Sequence, residues 1–147
     1  MRLRPATEAD AEFLMAWRND PDTVRFSRSA RPVTAAEHRE WLRERLADQS
    51  SRVWVGEETG HPVGQVRVNR EEGVWIVDIA VAPGDRGRGL STDLLRNLQR
   101  EMPGCTGAGT LRAEVHRDNL ASKRAFASAG FVRGGEAGGF VRYEWEW

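Results

Sequence analysis

At 147 residues, with 22 Lys and Arg against 22 Asp and Glu, the chain is sized for one domain and has no surplus positive charge for a nucleic acid backbone or an anionic membrane. No apolar run approaches the roughly 18 residues of a membrane span, and the N-terminal M-R-L-R-P-A-T-E-A-D has no apolar leader core. The one cysteine, Cys105, excludes an internal disulfide and has no adjacent lysine or histidine to activate it.

Residues 1–5 read as a short strand with Leu3 inward. Thr7 with Asp10 makes a capping-box start for a helix from Glu8 to Asp20, whose buried face is Phe13, Leu14 and Trp17 and which Pro21 ends. A polar loop from Asp22 to Pro32 carries Arg25, Arg28 and Arg31. A second capping box, Thr34-Ala-Ala-Glu37, opens a helix to about Asp48 with Trp41, Leu42 and Leu46 facing in. Arg52–Glu57 and Val63–Val68 alternate as a hairpin around Glu58–Pro62.

Val74, Ile76, Val77, Ile79 and Val81 form an apolar, β-branched run stopped by Ala82-Pro83-Gly84, which marks a buried strand. Arg86-Gly87-Arg88-Gly89 follows, and then Leu90, Leu94, Leu95, Leu98 and Met102 recur at helical spacing. A glycine-rich basic loop between strand and helix suits a phosphate: amides close on the anion, the helix N-terminus adds partial positive charge, and guanidiniums pair with the oxygens. The ligand implied is a pyrophosphate or a group like it. Neither G-x-x-x-x-G-K-[ST] nor G-x-G-x-x-G is present. After a loop at Pro103–Gly109 come a strand, Thr110–His116, and a helix capped by Asn119 with Ala121, Ala125, Phe126 and Ala129 on its inner face; Gly130 suits its left-handed end. Phe131–Arg133, a turn Gly134–Gly139 and the alternating Phe140–Trp147 close the chain.

Arg86-Gly87-Arg88-Gly89-Leu90-Ser91 is similar to the [Q/R]-x-x-G-x-[G/A] signature of the GNAT superfamily of acyl-CoA-dependent N-acetyltransferases, with Ser91 in place of the last small residue. Asn119 through Phe131 resembles that family's N-x-x-[SA]-x-x-x-[YF]-x-x-x-G-F segment, and the element order matches over nearly the whole chain. The resemblance implies a mixed α/β fold: a mostly antiparallel twisted sheet of about seven strands, a splayed parallel pair made by the fourth and fifth, and four helices. It implies acetyl-CoA as co-substrate and direct attack of a primary amine on its thioester. In that frame the backbone of Ile79, Ala80 and Val81 pairs with the pantetheine arm, and an N–H near Ala80 or Val81 faces the thioester carbonyl. Arg86, Gly87, Arg88, Gly89, Leu90, Ser91 and Thr92 bind the pyrophosphate, and Asn119, Ser122 and Phe126 complete the cofactor side.

Asp78, between Val77 and Ile79, is the candidate base, its carboxyl expected to be pushed up by burial; Glu114 and His116 on the next strand compete for the role. Many family members protonate the leaving thiolate with a tyrosine where this chain has Phe126. The expectation is therefore an unassisted thiolate, of pKa about 8.5, or a proton from Ser122, Tyr143 or water. The acceptor side falls to the first two helices and the loop between them: Trp17, Arg18, Asn19, Arg25, Arg28 and His38, with Ser27 and Trp41 near. Trp17-Arg18-Asn19-Asp20-Pro21 with the later Glu37-His38 and Trp41 looks similar to GNAT enzymes that acetylate nucleotide-linked amino sugars. A protein N-terminus as acceptor, or a non-catalytic acyl-CoA-binding module, are the alternatives. The expectation is one cytoplasmic domain over residues 1–147, monomeric or homodimeric, taking a small-molecule amine and no metal, nucleic acid or membrane.

Overall fold

In the structure, a computed structural model describing all of Met1–Trp147, the alternating segments pair into one seven-stranded sheet. Its strands are β1 (Arg2–Pro5), β2 (Ser51–Glu58), β3 (His61–Glu71), β4 (Val74–Val81), β5 (Thr110–His116), β6 (Val132–Ala137) and β7 (Phe140–Glu146), in the order β1-β2-β3-β4-β5-β7-β6. Every neighbouring pair is antiparallel except β4 and β5. Five helices cover the sheet, α1 (Ala11–Arg18), α2 (Pro21–Phe26), α3 (Ala35–Ala47), α4 (Leu90–Thr106) and α5 (Leu120–Ser128), against the four expected. None is long and apolar enough to cross a membrane.

Strand alternation and helical spacing divide the core between two faces. On one, α4 buries Leu90, Leu94, Leu95, Leu98 and Met102, the stripe read from the sequence, and most of it packs with Val66, Val68, Trp75, Val77 and Leu111 of the sheet and Phe126 of α5. Each such leucine contributes about 1.5–3 kcal/mol by leaving water. On the other, Leu14 and Trp17 of α1 and Leu42 of α3 close over Val53 and Val55 of β2. Gly64 of β3 lets α4 approach: a Cβ there meets a methyl of Leu94 at 2.7 Å and the carbonyl oxygen of Ala80 at 2.9 Å.

Several boundaries differ from expectation. The first helix starts as a 3₁₀ turn, Glu8–Asp10, and α1 stops at Arg18. Asp10 anchors that turn, accepting the Thr7 N–H at 2.8 Å and two bonds from Arg4 at 2.9 and 2.8 Å. Pro21 begins a helix instead of ending one. It is the first residue of α2, in what was read as loop, and Asp20 caps it by accepting the N–H groups of Asp22 and Thr23. Pro103 lies inside the last turns of α4, which runs to Thr106 before Gly107 turns left-handed at φ 71°. β6 continues through Gly134 and Gly135, where the ladder shifts register between Arg133 and Glu136, and the turn shrinks to Gly138-Gly139. Leu46 and Ala121, expected inward, are exposed, whereas Trp145 and Trp147 stack at 5.5 Å and pack against the larger core.

Candidate active site

The sheet opens where a ligand strand is needed. Parallel pairing of β4 with β5 is limited to Trp75 with Leu111 and Ile76 with Arg112. Beyond that, β4 follows β3 to Val81 and β5 follows β7 to His116, so the two strands part. Antiparallel strands alternate the side to which each residue's N–H and C=O point. Ala82 donates to Val63 of β3 at 2.8 Å, and Ala80 stands opposite Gln65 in the same phase, so its amide belongs to β3. The main-chain groups of Ile79 and Val81 face the gap. This corrects the expectation for Ala80 as an amide donor and leaves Val81 and Ile79. On the far side the same alternation, read from Arg117 donating to Gly139, turns the backbone of Glu114 and His116 toward the gap.

The glycine-rich loop lies beyond the end of β4. Gly87 and Gly89 take φ 80° and 73°, Gly89 serving as the left-handed cap of α4, and neither has an atom within 4 Å of where a Cβ would stand. The N–H groups of Leu90, Ser91 and Thr92 begin the helix without intrahelical partners, a ready anion site. Leu90 itself points into the core at 4 % exposure, so only its amide is available. Carboxylates hold both arginines: Arg86 bonds Asp20 at 2.7 Å and Asp22 at 3.5 Å, and Arg88 bonds Glu58 at 2.8 Å and Asp85 at 3.2 Å. Burial works against ionisation of Asp20, yet Arg86 and the Thr23 and Asp22 amides together hold its carboxyl below the usual range. These residues fit a pyrophosphate: open glycine backbone, unpaired amides and two guanidiniums at the rim.

The burial expected around Asp78 is absent. Its side chain is 57 % exposed, on the face opposite Val77, and is ion-paired to Arg67 of β3 at 2.7 Å. Arg67 in turn lies over the ring of Trp41 at 4.9 Å. Sequence reasoning missed Arg67; its only signal was a polar position alternating with Val66 and Val68. Glu114 pairs with Arg28 and, at 3.7 Å, with Arg142. His116 sits between the rings of Phe26 and Phe140, 5.3 and 5.5 Å away, and its Nδ1 accepts the Asp118 N–H, which puts the neutral ring's proton on Nε2. Asn119 caps α5 as expected, accepting the Ser122 N–H at 3.2 Å. Ser122 is half-buried one turn ahead of Phe126. Phe126 is a core residue at 2 % exposure, packed against Phe131 and Tyr143, so its ring offers no free surface to pantetheine; Tyr143 is buried with it.

The proposed acceptor residues separate into two groups. Trp17 is core, 8 % exposed and 4.8 Å from Phe13, and cannot also hold a substrate. Asn19 spends both amide atoms on Val33, donating to its carbonyl and accepting its N–H at 2.8 Å each, which ties the Ser27–Val33 loop to the end of α1. Arg25 is exposed over its neighbour Phe26, and Arg28 lies over Phe140 on its way to Glu114. Arg18 and His38 belong together. Burial first, then the like charge of Arg67, lowers the Arg18 guanidinium from its ordinary value, with Asp78 opposing. Burial, then Arg18 and Arg67, holds the His38 imidazole below its usual range. The Arg18–His38–Trp41–Arg67–Asp78 group therefore lies on the α1–α3 face of the sheet beside the β4 edge of the gap.

A family model described as an acetyltransferase (GNAT) domain matches residues 1–132. The aminoglycoside N(6')-acetyltransferases type 1 of Klebsiella pneumoniae and Serratia marcescens are each 26 % identical over 149 residues, covering 90 % of this chain and 74 % of theirs. The solved structure of AAC(6')-Ib with ribostamycin and coenzyme A aligns with a TM-score of 0.84 at 25 % identity, over 98 % of this chain and 92 % of that one. Ribosomal-protein-alanine N-acetyltransferase from Brucella melitensis aligns over the full length of both chains, with a TM-score of 0.82 and 25 % identity.

Proposed function

The chain belongs to the GNAT acetyltransferase family and is an acetyl-CoA-dependent N-acetyltransferase; from that premise we propose which residues carry the reaction and what class of amine receives the acetyl group. Acetyl-CoA supplies a thioester whose acetyl group passes to the amine as the thiolate leaves. Val81 and Ile79 present main-chain N–H groups to the gap, and the Val81 amide stabilises negative charge on the thioester oxygen, a role worth about 3–4 kcal/mol for such a donor. The amides of Leu90, Ser91 and Thr92, with Arg86, Gly87, Arg88 and Gly89, hold the pyrophosphate. Asn119 and Ser122 at the start of α5 border the pantetheine channel.

The amine must shed a proton before it attacks. For an α-amino type near pKa 8 that costs only about 1.4 kcal/mol at pH about 7, against several for a lysine-like amine. Asp78, exposed beside the gap, is the proposed base, working through water, and His116 is the second candidate, taking the proton at Nδ1 once that atom releases the Asp118 N–H. With Phe126 in the core, no aromatic hydroxyl stands on α5 to protonate the thiolate. A thiol of pKa about 8.5 leaves unassisted, or takes a proton from water or Ser122.

The acceptor is a small-molecule amine. The aminoglycoside enzymes among the relatives support that class; within it a nucleotide-linked amino sugar rests on Arg18 alone of the Trp17–Pro21 segment, whose Nη1 has no partner, since Trp17 is core and Asn19 and Asp20 are bonded within the fold. The observation that carries the whole reading is a parallel β4–β5 pair ending after two rungs, beside a left-handed glycine loop that opens α4. The test is free-thiol release from acetyl-CoA against UDP-4-amino sugars, aminoglycosides, polyamines and N-terminal peptides, with Asp78→Asn alongside. Turnover with one class identifies the acceptor, and full activity in Asp78→Asn removes that residue as base.

A further inference from the structure

Resting on acetyl transfer to an amine, we infer that the acceptor also carries an oxyanion, a phosphate or a carboxylate, and that Arg18 receives it on the α1–α3 face of the sheet. The charges on that wall are unevenly matched. Its carboxylates are taken: Asp78 by Arg67 at 2.7 Å, Glu114 by Arg28 and by Arg142 at 3.7 Å, and Asp20 by Arg86 at 2.7 Å. Arg18 and Arg31, by contrast, have no carboxylate within ion-pair distance.

Arg18 is only half satisfied. Its Nη2 donates to Ser29 Oγ at 3.1 Å and to the Arg31 carbonyl at 3.3 Å, while Nη1 is buried with no partner. A guanidinium N–H withdrawn from water and left unbonded is costly, so the site calls for an acceptor of opposite charge. Beside it His38, 4 % exposed, also leaves Nδ1 without a partner. Kept neutral, His38 adds a hydrogen-bonding group without adding charge of its own. The bonds from Arg18 to the Ser27–Val33 loop are exposed and made to neutral groups. An oxyanion gripped by both guanidinium nitrogens replaces them, because charge-assisted bidentate contacts are stronger and shorter. A polyammonium acceptor meets the reverse situation here: guanidiniums, with Asp78, Glu114 and Asp20 already paired.

The test uses the full chain saturated with acetyl-CoA, so that its pyrophosphate loop is filled. Inorganic phosphate, acetate and kanamycin are titrated separately by calorimetry into the wild type, Arg18→Gln and Arg18→Lys. The expected result is that phosphate or acetate binds at least tenfold more weakly to Arg18→Gln, that Arg18→Lys keeps part of the affinity, and that kanamycin binds no better than the anions. The tighter of the two anions identifies the group as phosphate or carboxylate. Absence of anion binding by the wild type, an unchanged affinity in Arg18→Gln, or a preference for kanamycin overturns the inference. Acetyl-CoA affinity, measured in each variant, reports folding; should Arg18→Gln lose it, Arg18→Lys makes the comparison, and unchanged anion affinity there overturns the inference. In thiol release, glucosamine 6-phosphate against glucosamine should show the same preference, at least tenfold in kcat/KM. Silence toward every amine defeats the proposed acceptor reading, while Arg18-dependent anion binding upholds the oxyanion site.

Discussion

Replacing Gly64 by alanine tests whether the close seating of α4 on β3 and β4 positions the cofactor gap. The added methyl meets Leu94 Cδ1 at 2.7 Å and the Ala80 carbonyl oxygen at 2.9 Å. Leu94 is fully buried and has nowhere to swing, and a main-chain oxygen moves only with its strand. Overpacking of this kind costs about 1–3 kcal/mol; with two contacts below 3.0 Å the expectation is about 2 kcal/mol. For a chain of this length that lowers Tm by roughly 4–8 °C. Urea denaturation gives the number directly. A Leu94→Ala background separates the two contacts: Leu94→Ala alone costs about 2–5 kcal/mol, but it relieves the side-chain clash, so Gly64→Ala should then add only about 1 kcal/mol, a coupling of similar size. Because Ala80 lies between the two residues whose amides face the gap, the single variant should also raise the KM for acetyl-CoA severalfold and leave the KM for the amine unchanged. A Gly64→Ala protein within about 0.5 kcal/mol of wild type, or an equal penalty in both backgrounds, refutes the reasoning.

Four further outcomes are expected. Gly87→Ala puts a side chain at φ 80°, costing about 1–2 kcal/mol; isothermal titration should show weaker acetyl-CoA binding, and unchanged affinity would show that the loop tolerates another conformation. Asn19→Ala removes both bonds to Val33, so denaturation should report about 1–3 kcal/mol lost, and limited proteolysis should cut first within Ser27–Val33. Arg4's side-chain bonds come first among the causes that hold the Asp10 carboxyl below its ordinary 3.8. That stabilisation is complete above the unfolded value and is lost as pH falls through the lower folded one, so Arg4→Met should flatten the acid limb of a stability profile. His38 has its folded value depressed from 6.5 by burial, then by Arg18 and Arg67, so below pH 6.5 the unfolded chain takes the proton first and stability falls as pH drops. His38→Gln should remove that slope between pH 7 and the folded value, and an identical slope in the variant contradicts the assignment.

What was legible in the sequence is what depends on neighbours along the chain. The stripe Leu90, Leu94, Leu95, Leu98 and Met102 required α4 to bury one face, and Asn119 three residues ahead of Ser122 announced a cap. The loop Arg86–Gly89 carried its anion chemistry openly, because left-handed glycines and a helix start are local features. Pro21 shows where local reading becomes ambiguous: proline both ends helices and starts them, and only the Asp20 carboxylate, accepting two amides beyond it, decides for a start.

The site's electrostatics depended on contacts that no local pattern records. Whether Asp78 is a buried, raised carboxyl or an exposed one turns on which face of β4 it occupies and on Arg67 across the strand. Trp17 and Phe126 are the kinds of residue that fill either a core or a binding site, and helix packing put both in the core. The family resemblance predicted a splayed pair; the extent of the gap, and which amides line it, follow from the register of β3 on β4 and of β7 on β5. By itself the sequence determined the order of the elements, the inward stripes and the phosphate loop, since backbone sterics and helical or strand period act over a few residues. Only the tertiary structure decided which charges cancel and which remain unmatched at Arg18, because Coulomb interactions and desolvation depend on distance in space, and Arg67, Asp78, Glu114 and Arg28 meet only once the sheet has closed.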